Sequence, residues 1–207
     1  VSFTVTGTNA AGEGTASDAS DAVVPHSSAF QVWVATPNIA RDGGSTDIYV
    51  FGATGDIADV RMKVGNQVMH DSPDENGNLV FNFTAYNGAA SRWKAEARAV
   101  RGSGKDKERL YAADTVYAPK LTLGMAFRNG AAITAKVGTA APGSTLSLQV
   151  DGTEVCSVKI NAGGKGTCTL NMDTSVDGDY TLEMYDSFAN LIDSRDFTIR
   201  PAKPAKG

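Results

Sequence analysis

Two stretches of the sequence match each other at a fixed offset. The match aligns RDGGSTDIYVFGATG with FRNGAAITAKVGTAAPG, so that Gly44 and Gly130, and likewise Gly52 and Gly138, stand 86 positions apart. The order of runs and turns agrees along most of both copies. A repeat of this length indicates that the chain folds as two copies of one module.

Each copy consists of short runs rich in Val, Thr, Ile, Phe and Leu, separated by glycine turns. The chain has 22 glycines, many in turn-like stretches such as RDGG, ENGN, NAGGKG and VDGD. Short strands bounded by such turns are typical of an all-β sandwich.

The segment with the highest helix propensity has the alternating pattern of a strand. The segment RWKAEARAVRG consists of good helix formers, but it alternates Trp93, Ala95 and Ala97 with charged residues such as Lys94 and Arg98. A period of two places every charge on one face of a strand, so we predict a strand here in spite of the helix propensity.

The turns predict a similar strand order in both copies. One hairpin is expected at Gly65-Asn66 in the first copy and at Asp151-Gly152 in the second. A further hairpin is expected at Asn76-Gly77 and at 162–164, followed by a closing pair of strands. About seven strands joined in this way predict an immunoglobulin-like sandwich.

The second copy resembles the bacterial immunoglobulin-like repeats of surface proteins. The resemblance is carried by PGSTLSLQVDGTEVCSVKINAGGKGTCTL, with its "PG-T" opening, its "dG" turn and its paired cysteines, whereas the first copy lacks both cysteines. We therefore predict one sandwich at 26–118 and a second at 119–201, with Pro25 and Pro119 at the joints. A Pro/Lys tail at 202–207 follows.

The opening VSFTVTGTNAAGEGTASDASDAVVP resembles the last two strands of a bacterial fibronectin type III domain. The family usually has a tyrosine two residues before Phe3, where this chain has Val1. The resemblance implies that 1–25 is the C-terminal end of such a domain and that the chain continues a longer protein. In the alternative interpretation, this hairpin completes a sheet of a neighbouring subunit.

Composition excludes several classes of function. Hydrophobic residues make up 42% and charged residues 20%, as in ordinary globular proteins. The formal net charge of -4 argues against binding to nucleic acid or to an anionic membrane surface. No apolar run approaches the roughly 18 to 20 residues of a membrane helix, so no membrane insertion is expected in this segment.

Cys156 and Cys168 flank the predicted second turn of the second copy. A hairpin centred on Ala162 would place them opposite each other on adjacent strands, within disulfide reach. We predict a structural disulfide, with two buried thiols or a metal or redox pair as the alternatives. A disulfide would imply export, because reducing compartments rarely keep one.

No set of residues predicts catalysis, a cofactor or a metal site. His26 and His70 are far apart and have no ligand spacing, so both are expected to face solvent. Calcium is a minor alternative, since its oxygen ligands could come from aspartates near turns. These aspartates fall into two groups: Asp42, Asp47, Asp56 and Asp59; and Asp173, Asp177 and Asp179.

Two further features carry alternative interpretations. RGSGKDKERL reads as a basic tip between two strands, either a solvated loop or a partner-binding tip. Trp33 and Trp93 lie within alternating strands and are predicted to fill the first core. A row of exposed aromatic residues would instead indicate a sugar-binding face.

The function predicted is that of a non-catalytic stalk, spacer or partner-binding arm of a larger extracellular or cell-surface protein, such as a bacterial adhesin. One alternative is a phage-tail or virion-surface appendage. Another is an accessory or carbohydrate-binding arm of a secreted polysaccharide-active enzyme. The expected partners are a protein or glycan at a surface, or neighbouring subunits of an assembly. The fold alone does not distinguish among these functions.

Overall fold

The computed structural model describes residues 29–86 and 91–202, together with the backbone of two short strands before them. Those strands, β1 (Thr8–Asn9) and β2 (Gly12–Glu13), pair antiparallel. The rest of the predicted fibronectin type III segment at 1–25, His26 and the tail at 203–207 lie outside the described residues. Within the described ranges, no helix has the length and apolar character needed to cross a membrane.

Seven strands form the first sandwich: β3 (Gln31–Val34), β4 (Ser45–Phe51), β5 (Val60–Val64), β6 (Gln67–Asp71), β7 (Leu79–Thr84), β8 (Arg92–Arg101) and β9 (Glu108–Tyr117). They pair in the orders β3-β4-β7 and β6-β5-β8-β9, with every neighbour antiparallel. The two sheets pack face to face.

Eight strands form the second sandwich: β10 (Lys120–Thr122), β11 (Ala126–Arg128), β12 (Thr134–Gly138), β13 (Thr145–Val150), β14 (Thr153–Lys159), β15 (Gly166–Thr169), β16 (Gly178–Tyr185) and β17 (Leu191–Arg200). The sheet orders are β10-β12-β15 and β14-β13-β16-β17-β11. The extra strand β11 runs parallel to β17. The fold is thus all-β, with tandem immunoglobulin-like sandwiches, as predicted.

Alternation decides which side chains of a strand face the core. In β8, Trp93, Ala95 and Ala97 are buried, whereas Lys94 and Arg98 point to solvent. The strand predicted for this helix-forming segment is therefore confirmed. Burial of one complete face outweighs the intrinsic helix propensity of the same residues.

Each sandwich has a core of its own, and the two clusters of buried apolar residues share no member. In the first core, the rings of Phe83 and Trp93 meet edge to face with centroids 5.4 Å apart. In the second, Phe197 stacks on Tyr180 at 5.4 Å. Separate cores make each sandwich a packing unit in itself.

Two predicted hairpins are wrong. The turn at Asn76-Gly77 joins β6 to β7, and the turn at 162–164 joins β14 to β15, but the joined strands belong to different sheets. In each turn a side-chain oxygen accepts two backbone N–H bonds, at 2.9 and 2.8 Å for Asp74 and at 2.9 and 3.2 Å for Asn161. Such a motif reverses the chain without specifying a strand partner.

Candidate functional site

Two buried residues connect the sandwiches. Strand β9 ends at Tyr117 and β10 begins at Lys120, so only Ala118 and Pro119 lie between them. The N–H of Ala118 donates to the Ser91 carbonyl at 2.9 Å. Because proline also fixes its own φ angle, this linker has little freedom to bend.

The side chain of Asn38 joins the first sandwich to the second. It is 3% exposed, and its amide oxygen accepts a bond from the Ala141 N–H at 2.7 Å. Its amide nitrogen donates to Ser144 Oγ at 3.0 Å. Asn38 itself is held in the first sandwich by a parallel bridge to Tyr117. Both ends of a buried amide are thereby satisfied across the joint.

A groove of about 780 Å³ lies on the outer face of the sheet that contains β5, β6, β8 and β9. Four of the residues that line it carry a permanent positive charge: Arg61, Arg98, Lys107 and Arg109. Arg61 stands directly opposite Arg98 on the neighbouring strand. This face is therefore basic although the whole chain carries a formal net charge of -4.

Tyr111 forms one wall of this groove. It stands opposite Arg98, whose guanidinium lies 5.5 Å from the centre of its ring. Lys94 Nζ donates to the Tyr111 hydroxyl at 2.7 Å, and that hydroxyl donates to Glu96 Oε1 at 2.8 Å. The bonds to Tyr111 and Glu96 raise the pKa of Lys94, and those from Lys94 and Tyr111 lower the pKa of Glu96. The network orients the ring.

The basic tip predicted between two strands forms the end of this groove. A 3₁₀ turn at Gly104–Asp106 joins β8 to β9, and Gly102 and Lys107 line the groove on either side of it. Arg101 Nε donates to the Thr54 carbonyl at 2.8 Å, and its guanidinium contacts Glu108 at 3.2 Å. The tip is thus tied back to the sandwich.

No family model matches the sequence, and no curated protein matches it as a relative. Solved structures do match. The D00-D0 domain of intimin is 15% identical, covering 81% of this chain and 98% of that one, with a TM-score of 0.35. The fibronectin(III)-like modules of CbhA from Clostridium thermocellum are 18% identical, covering 85% and 97% of the two chains, with a TM-score of 0.28.

A third match is a tetra-tandem repeat from the extending region of a large adhesion protein. It is 16% identical over 83% of this chain, with a TM-score of 0.31. The present chain spans about half of that structure, 49% of its length.

Cys156 and Cys168 are joined in the structure, with their Cα atoms 6.5 Å apart. Their predicted position on paired strands of one hairpin is wrong. Cys156 lies on β14, which pairs with β13, whereas Cys168 lies on β15, which pairs with β12 in the other sheet. The link therefore spans the gap between the two sheets.

Three of the polar residues considered for catalysis or metal binding, Asp56, Asp59 and His70, line the groove described above. His70 is exposed, as predicted, and its Nδ1 contacts Asp59 at 2.8 Å. Asp47 instead accepts a bond from Asn82 at 3.0 Å, and Asp179 accepts one from Thr198 at 2.6 Å. Within the described ranges, no three His, Cys, Asp or Glu side chains come together as metal ligands.

Trp93 is buried at 4% exposure, which confirms its predicted place in the core, but the same prediction is wrong for Trp33. Trp33 is 50% exposed on the outer face of β3. Its ring lies 5.3 Å from that of Tyr49, the residue opposite it on β4. Val80 stands beside Tyr49 on β7 and is also exposed. An apolar row thus crosses this sheet.

Two contacts that matter here could not be predicted from the sequence. Asn38 bonds to residues 103 and 106 positions away, and asparagine in a loop is an ordinary turn residue. The opposition of Arg61 and Arg98 depends on strand register. The sequence shows that charges alternate along both strands, but it does not show that Arg61 pairs with Arg98.

Proposed function

We propose that this chain is a non-catalytic spacer and adhesion module of a larger extracellular or cell-surface protein. In this proposal, 26–118 and 119–201 are repeats of one domain, 1–25 is the C-terminal end of a fibronectin type III domain and 202–207 is a Pro/Lys tail. The observation that carries the proposal is the joint, where Asn38 bonds across to the second sandwich beside a buried two-residue linker.

A fixed joint suits a spacer because it preserves length. Domains joined by a long flexible linker sample many orientations, and their ends approach each other on average. Here the loop around Asn190 in the second sandwich also faces Gly43 and Ser45 of the first, across a cleft of about 420 Å³. The bonds of Asn38 to Ala141 and Ser144 and the buried two-residue linker restrict bending at the joint.

The cysteine pair supports the extracellular part of the proposal. Disulfides persist in oxidising compartments, and Cys156 and Cys168 are positioned to form one between sheets. In the natural protein we propose that this bond is present.

The spacer role is tested by measuring the orientation of the two sandwiches in solution. We expect X-ray scattering and ¹⁵N relaxation of the whole chain to show both sandwiches tumbling as one body. Asn38→Ala leaves the buried Ala141 N–H without its acceptor, at a cost of roughly 1–3 kcal/mol. The variant should therefore show a broader range of orientations and unequal tumbling.

Asn82→Ala is the matched control, because Asn82 also makes a side-chain hydrogen bond, at 3.0 Å to Asp47, but lies on an outer face. It should leave the orientation unchanged. Independent tumbling of the two sandwiches in the unaltered chain would contradict a rigid spacer.

A second candidate is the carbohydrate-binding arm of a secreted polysaccharide-active enzyme. It is favoured by the outer-face row of exposed Trp33, half-buried Tyr49 and exposed Val80. Aromatic rings with an open face can stack against the apolar face of a sugar, and the Asp47–Asn82 pair beside the row supplies hydrogen-bonding groups.

A further inference from the structure

The basic groove of the first sandwich places like charges side by side. Arg61 and Arg98 are direct cross-strand partners, an arrangement that destabilises a sheet. Lys107 and Arg109 add two more positive charges to the same groove. A cluster of this kind is costly for folding alone and becomes favourable when an anion lies among the cations.

Three nearby carboxylates form ion pairs with cations outside this set of four. Asp59 contacts His70, Glu96 contacts Lys94 and Glu108 contacts Arg101. Across the described residues, no carboxylate forms an ion pair with any of the four cations that line the groove: Arg61, Arg98, Lys107 and Arg109. Their charge remains available to a ligand.

The cations are spread over the sheet, first across the strands and then along β9 toward the tip. Arg61, Arg98 and Tyr111 lie in one row across three neighbouring strands. Arg109 precedes Tyr111 by two residues, a step of about 7 Å along the strand. Lys107 lies two residues further toward the tip. An open groove with charges spaced along it fits an extended polymer better than a small ion.

The other groups in the groove favour a sugar chain. Tyr111 is 50% exposed and offers a ring face for stacking. Asp56 and Asp59 also line the groove, and their carboxylates can accept bonds from hydroxyl groups. An acidic sugar chain offers both hydroxyl donors and anionic groups.

We propose that this groove binds an acidic polysaccharide, with Arg61, Arg98 and Arg109 holding its carboxylate or sulfate groups and Tyr111 stacking on a sugar ring. The groove belongs to the first sandwich alone. Binding and the rigidity of the joint are therefore separate properties, and either can fail without the other.

The proposal is tested by titrating the whole chain with polygalacturonate, as a carboxylated probe, and with heparin, as a sulfated one. We expect at least one to bind, with an affinity that falls as salt is added. The double variant Arg61→Gln/Arg98→Gln should weaken that binding by about tenfold or more, since it removes two charge-assisted contacts.

Lys136→Gln/Lys159→Gln is the matched control, because it removes the same charge from exposed positions of the second sandwich. The affinity of this control variant for the polysaccharide probe should stay within about twofold of the affinity of the unaltered chain. Equal weakening in both double variants would show attraction by net charge alone and would overturn the proposal. Absence of binding to both probes would also overturn it.

Two further measurements separate the competing explanations. Tighter binding to duplex DNA or to phosphatidylserine vesicles than to either polysaccharide would assign the groove to those ligands and overturn the proposal. The thermal midpoint of the groove variant should be equal to or above that of the unaltered chain, because a like-charge pair is gone. A clear fall in that midpoint would give the arginines a structural role instead.

Discussion

Trp33 and Trp93 both stand in alternating strands, yet they have opposite environments. In β8 the choice of face is forced, because one face carries the charges and the other carries Trp93 and alanines. In β3 both faces offer apolar side chains, and Val32 and Val34 turn toward the core. Periodicity identifies residues that share a face. It does not say which face is buried when both are apolar.

The exposed position of Trp33 leads to a prediction for the second candidate function. If its ring stacks on a sugar, Trp33→Ala should lower the affinity for a neutral polysaccharide such as a mixed-linkage glucan by about five- to tenfold. Isothermal titration calorimetry measures this. The thermal midpoint should hardly change, because half of the side chain is already in water.

Phe188→Ala serves as the control, because Phe188 is an exposed aromatic residue of the second sandwich. It should leave the affinity unaltered. If neutral polysaccharides do not bind the unaltered chain, the carbohydrate-arm interpretation of this face is wrong.

At the scale of elements, the strands and their order were largely predictable, but the sheet to which each belongs was less so. The hairpins at Gly65-Asn66 and Asp151-Gly152 were predicted and are present as β5–β6 and β13–β14. The later turns were assigned to hairpins although they cross between sheets. A turn is encoded by a few local residues, whereas the partner of a strand depends on packing across the whole core.

In the second sandwich, the turn at 162–164 connects strands of different sheets, and the disulfide between those strands is expected to stabilise the fold. Because Cys156 and Cys168 tie strands of opposite sheets across a separation of 12 residues, the bond restricts the unfolded chain and holds the sandwich edge closed. Reduction, or replacement of both cysteines by alanine, should cost the second sandwich roughly 2–3 kcal/mol in a denaturant titration.

Unfolding of the first sandwich provides the internal control, since its core shares no residue with the second. Mass spectrometry with an alkylating agent, before and after reduction, checks the bond directly. Two labels on the unreduced natural protein would contradict both the bond and the argument for export.

At the scale of the whole molecule, the repeat in the sequence predicted two sandwiches in tandem, with a joint at Pro119. The relative orientation of the two sandwiches could not be predicted from this repeat. It depends on Asn38, whose amide bonds to residues 103 and 106 positions away in the other sandwich. Long-range polar contacts of this kind leave no periodic trace in the chain.

In each sandwich, a segment that follows the first strand pairs in parallel with the last strand, and this pairing determines how the sandwich would carry tension. When the chain is pulled from both ends, the early segment and the last strand are drawn in opposite directions, and the bonds of the parallel pair between them are loaded in shear. In the second sandwich three residue pairs of β11 and β17 share this load. In the first, Asn38 and Tyr117 form a single bridge.

We therefore expect the first sandwich to yield at a lower force than the second in single-molecule pulling of the whole chain. The two events can be told apart, because an intact Cys156–Cys168 bond shortens the extension of the second. The reverse order would contradict the shear argument. Under load, the module would then lengthen in two stages, giving way first in the half that carries the basic groove.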